Sequence, residues 1–334
     1  MTSSRAILES AFSPDPPGAP LPPGPRANLW PGEPVDPVEI GGAPATAVHR
    51  LWRARGHHPR PDGTLTSVPR RAVPSAGAAY PVQWHLVVPP GHGGHLGPGR
   101  YVYLPASEQF VRRLEPRGPA RPGPVEVVLT VQPGRTFGRY RHRAWPLWVA
   151  DAAYALEALL LLIPDAHLPA DWSDLAAARR ALDLPRAAQT TWWLERGLVP
   201  EIALARIRLP FAPYLDEVAS AAISSRRSPA PGRFQQRGRS QGAAASPDVA
   251  EVARQSGQSW VLGADRVLGW ARPAGLDAGG YARLWQLHRE AARHTYSLNA
   301  RGHGVRGVSG FCTPPAGSPP LVHALAILEN GADG

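Results

Sequence analysis

Three short apolar runs and one long one stand out along the chain. The segment VQWHLVV at 82–88 is apolar at nearly every position and is bounded by Pro81 and Pro89, which predicts a strand buried on both faces. A Gly/His-rich loop follows, then GRYVYLP at 99–105 and VEVVLTVQ at 125–132, which predict a second and a third strand. The run LWVADAAYALEALLLLI at 147–163 is apolar on nearly every helical face and stops before Pro164, so it predicts a helix in the middle of a core. ADWSDLAAARRALDL at 170–184 opens on an Asp/Ser cap and has helical periodicity, and EIALARIRL at 201–209 predicts a closing strand. With a short helix at 46–55 (TAVHRLWRAR), these elements predict an α+β domain over 46–212.

The remainder divides in two. Residues 1–45 carry the proline clusters SPDPPGAPLPPGP and WPGEPVDP, which disfavour helix and central strand, leaving either a disordered tail or an extended arm wrapping a partner subunit. Residues 213–334 predict a second, smaller unit. It opens with a helix at 214–227, then an Arg/Gly/Gln/Ser-rich loop at 225–246 and a helix at 247–256. Two short strands within 260–273, a helix at 279–296 and a last strand, HALAIL, complete it.

Composition narrows the function. All 36 basic residues are arginine and the net charge is +10, which would suit an acidic partner, but no nucleic-acid-binding signature accompanies the arginines. A solvated basic surface, or an acidic cofactor or peptide, fits better than nucleic acid. No apolar run reaches the ~18–20 residues that cross a bilayer, so the expectation is a cytoplasmic protein without a membrane segment. The single cysteine, Cys312, allows neither a disulfide framework nor a cysteine metal cluster within one chain and reads as a packed small residue. His57-His58, and His92 with His95, lie in Gly/Pro-rich loops without further ligands at helpful spacing, and His288 and His294 do not share a helix face as an i, i+4 pair would, so no metal is expected. Trp192-Trp193 reads as core or subunit interface.

One segment carries chemistry. In Pro74-Ser75-Ala76-Gly77-Ala78-Ala79-Tyr80-Pro81 the small residues let backbone amides approach a planar ligand closely, and Tyr80-Pro81 turns the chain into the first strand. On composition alone a common turn leading into a strand is the better reading. The segment PSAGAAYPVQWHLVV, however, resembles the PSAGALYP-plus-strand signature of nitroreductase-like azoline dehydrogenases, which mature thiazole- and oxazole-containing ribosomal peptides, thiopeptides included. The resemblance continues in order through PGRYVYLP, GRYRHRAWPLWVADAAYALEALLLL and ADWSDLAAARRALDL, covering about 71–209.

That resemblance implies an α+β nitroreductase-like fold, possibly tandem with a reduced second copy, that binds FMN. The implied partners are an azoline-containing precursor peptide and the cyclodehydratase of the same pathway, and the implied assembly is a homodimer or an intrachain pseudo-dimer. Pro74, Ser75, Ala76, Gly77 and Tyr80 would flank the flavin ring. The family's phosphate-holding RRSxR element is not found upstream of Pro74; the nearest match is Arg226-Arg227-Ser228 with Arg233, which is equally a solvated loop. Arg139-Tyr140 stands where the family has a catalytic lysine–tyrosine pair. Arg139 cannot act as a base, so Tyr140 is the expected base, its phenolate favoured by the guanidinium of Arg139 or Arg143. Other readings remain: a nitroreductase-type reductase using a nicotinamide donor, and a flavin-free peptide-binding scaffold of the same fold.

Overall fold

The computed structural model describes residues 10–13, 19, 21–22, 24, 28–35, 42–60, 62–91, 97–114, 123–186, 188–225, 228–241, 247–272, 278–311 and 320–329. The chain enters as β1 (Gly32–Val35) and α1 (Gly42–Trp52), followed by a hairpin of β2 (His57–Pro59) and β3 (Leu65–Pro69). Next come β4 (Val82–Val88), β5 (Gly99–Leu104), β6 (Gln109–Arg113) and β7 (Glu126–Val131). A one-turn helix α2 (Phe137–Tyr140) leads into the 19-residue α3 (Ala144–Leu162). Two short helices, α4 (Leu175–Ala181) and α5 (Thr190–Leu194), precede β8 (Ile202–Arg208).

All pairings in the main sheet are antiparallel, in the order β1-β6-β5-β4-β7-β8. Every residue of β4 and β7 is buried because both faces are covered. Val82, Trp84 and Leu86 of β4, with Val127, Leu129 and Val131 of β7, face α3. Val87 and Val128 face the other way, toward Ala178 and Leu182 and toward Trp193 of α5. That two-sided burial is the physical reason these strands read as unbroken apolar runs rather than alternating ones. Contrary to the expectation from sequence, one helical run, Phe137–Leu162, is long and apolar enough to cross a membrane, and most of its apolar stretch is buried inside this core.

The second region continues with α6 (Glu217–Ser224), α7 (Pro231–Gln241), α8 (Pro247–Ser256), β9 (Arg266–Ala271), the 23-residue α9 (Ala278–Ala300), β10 (Gly304–Val308) and β11 (Leu321–Leu328). Its strands form a separate antiparallel sheet, β10-β11-β9. Helix α9 packs along α3, so Trp285, Ala291, Ala292 and Tyr296 belong to the same apolar cluster as Ala152, Leu156 and Leu159. The two regions also share a plan: in each, a pair of neighbouring antiparallel strands, β7/β8 and β9/β11, flanks the long helix in sequence.

Some local expectations change. Part of the anticipated 225–246 loop is helix α7, which begins on Pro231 and buries Phe234 completely. Only one strand forms in 260–273, because Ser259–Gly263 is a 3-10 turn. The proline-rich stretch contributes β1, whose Pro34 sits on the sheet edge where a missing amide donor is tolerated. Cys312, His92 and His95 lie outside the described residues.

Candidate active site

The segment 74–81 folds into a tight turn fastened to α3. The Ser75 hydroxyl donates to Oδ2 of Asp151 at 2.6 Å, and the Ala76 amide donates to Oδ1 of the same carboxylate at 2.9 Å. Ser75 Oγ accepts the Tyr80 amide at 2.8 Å, and the Ala78 and Ala79 amides close back on the carbonyls of Ser75 and Ala76. Gly77 is at the exposed crest with φ 57°, a left-handed conformation natural to glycine, and Ala78 and Tyr80 share that region at 53° and 48°. An aromatic residue there is uncommon and needs outside support. Tyr80 has it: its hydroxyl lies 3.2 Å from His58 Nε2 and accepts the Arg71 amide at 3.3 Å, while the Arg71 guanidinium stacks on its ring and Trp52 meets it edge-on.

Three cationic or phenolic groups surround the crest. Arg135 Nε donates to the Ala79 carbonyl at 2.7 Å. A Cβ placed on Gly77 would lie 2.3 Å from the Tyr140 hydroxyl oxygen and 3.3 Å from Arg139 Nη1, so both expected catalytic residues face the turn, and a larger residue there would displace the Tyr140 side chain as well as strain the backbone. Arg143, partly buried, opens α3. The electrostatics differ from the expectation for Tyr140. Burial raises its pKa, Arg139 opposes this, and the Asp151 carboxylate raises it further, so the net direction is upward and the phenol is retained. Asp151 itself, 4% exposed, is pushed up to about 7 by burial, against the lowering effect of its bonds from Ser75 and Ala76.

The arginine element anticipated for phosphate is only partly visible. Ser228 is partly buried and Arg233 is exposed in the first turn of α7, whereas Arg226 and Arg227 lie outside the described residues. The chain entering this element is tied toward the turn. Arg55 donates to the hydroxyl and carbonyl of Ser224 at 2.8 and 3.3 Å, and the Arg55 amide bonds Arg70 just upstream of Pro74.

Asp151, Arg135 and Arg71 carry no motif signal of their own in the sequence. The only signal for Asp151 is a lone acid in an apolar run, repeated once by Glu157, which pairs with Arg289 of α9 at 2.5 Å. Two further buried polar groups lie away from the turn. Glu201 accepts bonds from Asn28 Nδ2 (2.7 Å), Trp30 Nε1 (3.1 Å) and Thr130 Oγ1 (2.7 Å), and lies 2.9 Å from His85 Nε2. Tyr154 joins Thr295 and His323 between α3, α9 and β11, with His288 edge-on to His323. Trp193 is core, and among the described residues no group of three or more His, Cys, Asp or Glu is placed to hold a metal ion.

No family model matches the chain, nor does any curated protein at a significant level. Seven chains among solved structures do. A protein of Anabaena variabilis assigned as a nitroreductase aligns over 98% of this chain and 99% of its own, with a TM-score of 0.68 at 14% identity. The fold is therefore nitroreductase-like α+β, and the alignment extends through both regions of the chain. An E. coli microcin synthetase McbBCD complex with truncated pro-MccB17 bound covers 49% of this chain and 62% of that one, at a TM-score of 0.32 and 16% identity, a likeness too slight to bear on the fold.

Proposed function

We propose that this chain is an FMN-dependent oxidoreductase that oxidises azolines of a precursor peptide to azoles, working beside the cyclodehydratase that forms those rings. The observation that carries the reading is the Ser75–Tyr80 turn, which gathers Arg135, Arg139 and Tyr140 at its crest on a nitroreductase-like fold.

The residues present fit a flavin. The turn offers exposed backbone at Gly77 flanked by small side chains, which lets a planar ring approach its amides, and the Tyr140 hydroxyl beside Gly77 would border that ring. Pro74 to Gly77 and Tyr80 would hold the ring; Arg143, with Arg226, Arg227, Ser228 and Arg233, would hold the phosphate. When bound, FMN supplies the hydride acceptor. The chain's own residues orient the azoline and manage its proton. Arg139 is a fixed cation at the exposed side, and the Tyr140 phenol, kept protonated by burial, is a hydrogen-bond donor.

The absorption spectrum of the purified, FMN-reconstituted protein tests the reading. An oxidised-flavin spectrum, with loss of two hydrogens per ring on incubation with an azoline peptide, is expected; a colourless protein that takes up no FMN overturns it. Rapid bleaching of that spectrum by NAD(P)H, without azoline oxidation, identifies a nitroreductase-type reductase instead. A second reading, a flavin-free peptide-binding subunit, is favoured by the arginine at position 139 and by the Tyr140 oxygen packed against the turn. Co-purification with a peptide-modifying partner in the absence of flavin selects it.

A further inference from the structure

Turning an azoline into an azole removes a proton from the α-carbon and a hydride from its ring neighbour, and the proton needs an acceptor. Arg139 is permanently charged, and burial works against the Tyr140 phenolate. One carboxylate reaches the turn. Asp151 is buried, yet both of its oxygens are engaged by the motif, Oδ2 by the Ser75 hydroxyl and Oδ1 by the Ala76 amide. Ser75 is partly exposed. Its oxygen donates once, to Asp151, and accepts once, from the Tyr80 amide, so of the two acceptor positions of a hydroxyl one remains.

We propose that Ser75 and Asp151 form a proton relay, in which Ser75 Oγ receives the α-carbon proton of the bound azoline while its own hydroxyl proton passes to Asp151 Oδ2. The inference rests on the functional reading above. The α-carbon C–H bond breaks and a new O–H bond forms on Ser75; the original Ser75 O–H breaks and an O–H forms on Asp151. The hydride of the neighbouring carbon, with its electron pair, leaves to the flavin. Asp151 touches no substrate in this scheme, so it is a positioning residue that acts through Ser75.

The surroundings suit that task. Removal from water pushes the Asp151 carboxyl up to about 7, so near neutral pH it is both ionised in part and basic enough to accept a proton. On the turn side the titratable group coupled to it is Tyr140, over whose ring the Arg139 guanidinium lies. The next titratable groups along α3 are Tyr154 and Glu157, which are engaged by His323 and Arg289 rather than by Asp151.

The alternative is that Asp151 only braces the turn, and Asp151→Asn separates the two. An asparagine can still accept the Ala76 amide and can donate to Ser75 Oγ, so both anchors survive while the proton sink is lost. Infrared difference spectra of the full chain without substrate are expected to reveal a buried carboxyl titrating near pH 7 in wild type and missing in D151N. In the FMN-loaded enzyme, kcat should rise with pH through the same midpoint. D151N should lose about 100-fold or more in kcat, lack that inflection, and keep KM and FMN content. Ser75→Ala should lose a comparable factor. A D151N enzyme with wild-type turnover, or a wild type with no carboxyl titrating between about pH 6 and 8, overturns the relay alone. Failure of wild type to take up FMN overturns the functional reading, and the relay with it.

Discussion

Neither ring nitrogen of His288 has a hydrogen-bond partner among the described residues, although the side chain is buried. Burial lowers its pKa well below the ordinary histidine range, with His323 nearby lowering it further, and burial brings His323 down to about 4. A histidine held neutral in this way contributes stability that is present above its unfolded value near 6.5 and is lost as pH falls toward the folded one. The urea midpoint should therefore drop between about pH 6.5 and 4. His288→Leu should raise stability by about 1–3 kcal/mol, by removing unpaired polar atoms, and should flatten that acid limb in urea titrations. Asp151 has the opposite sign. Its carboxyl is raised, so its contribution is present at low pH and is lost as pH rises through about 7. D151N should melt a few °C above wild type at pH 8, with the gap closing below about pH 5 in scanning calorimetry.

At the scale of elements, the proline-rich segment is fixed where Asn28 and Trp30 donate to Glu201 just ahead of β8. Desolvation works against the Glu201 carboxylate, but His85 beside it and the bonds from Thr130 and Asn28 lower its pKa overall, so it is held ionised. Glu201→Ala strands His85 and both arm donors in the core and should cost about 3–5 kcal/mol by urea denaturation, with faster proteolysis ahead of β1. Elements of this kind are hard to read in advance. Strands β4 and β7 and helix α3 are legible because burial on both sides makes every position apolar. Strands β6 and β10, by contrast, are five residues each with arginines inside, and α7 is a polar sequence that buries Phe234. The turn at 74–81 is legible through its small residues. Its anchor is not, because Asp151 lies 75 positions downstream of Ala76 and only the packing of α3 beneath the sheet joins them.

For the molecule as a whole, the pairing of α3 with α9 decides what can be separated. The face of α3 carrying Tyr154 and Glu157 is covered by Thr295, Tyr296 and Arg289, so the first region alone would expose an apolar strip interrupted by a buried acid. Residues 1–212 expressed without the remainder should be insoluble or self-associating, as judged by size-exclusion chromatography; a stable monomer would show the two regions to be independent. The aromatic side chains behind the turn have a different use. Trp84 meets Trp52 edge-on at 5.8 Å, and Trp52 meets Tyr80 at the same separation, so a coupled pair of indoles ends on the last aromatic residue of the motif. Two chromophores so close share their excitations and give a circular-dichroism couplet at the strong indole band of the far ultraviolet. Any rearrangement of the turn that drags Tyr80 against Trp52 would change that couplet, which makes the protein an optical gauge of its own loop before any ligand is added.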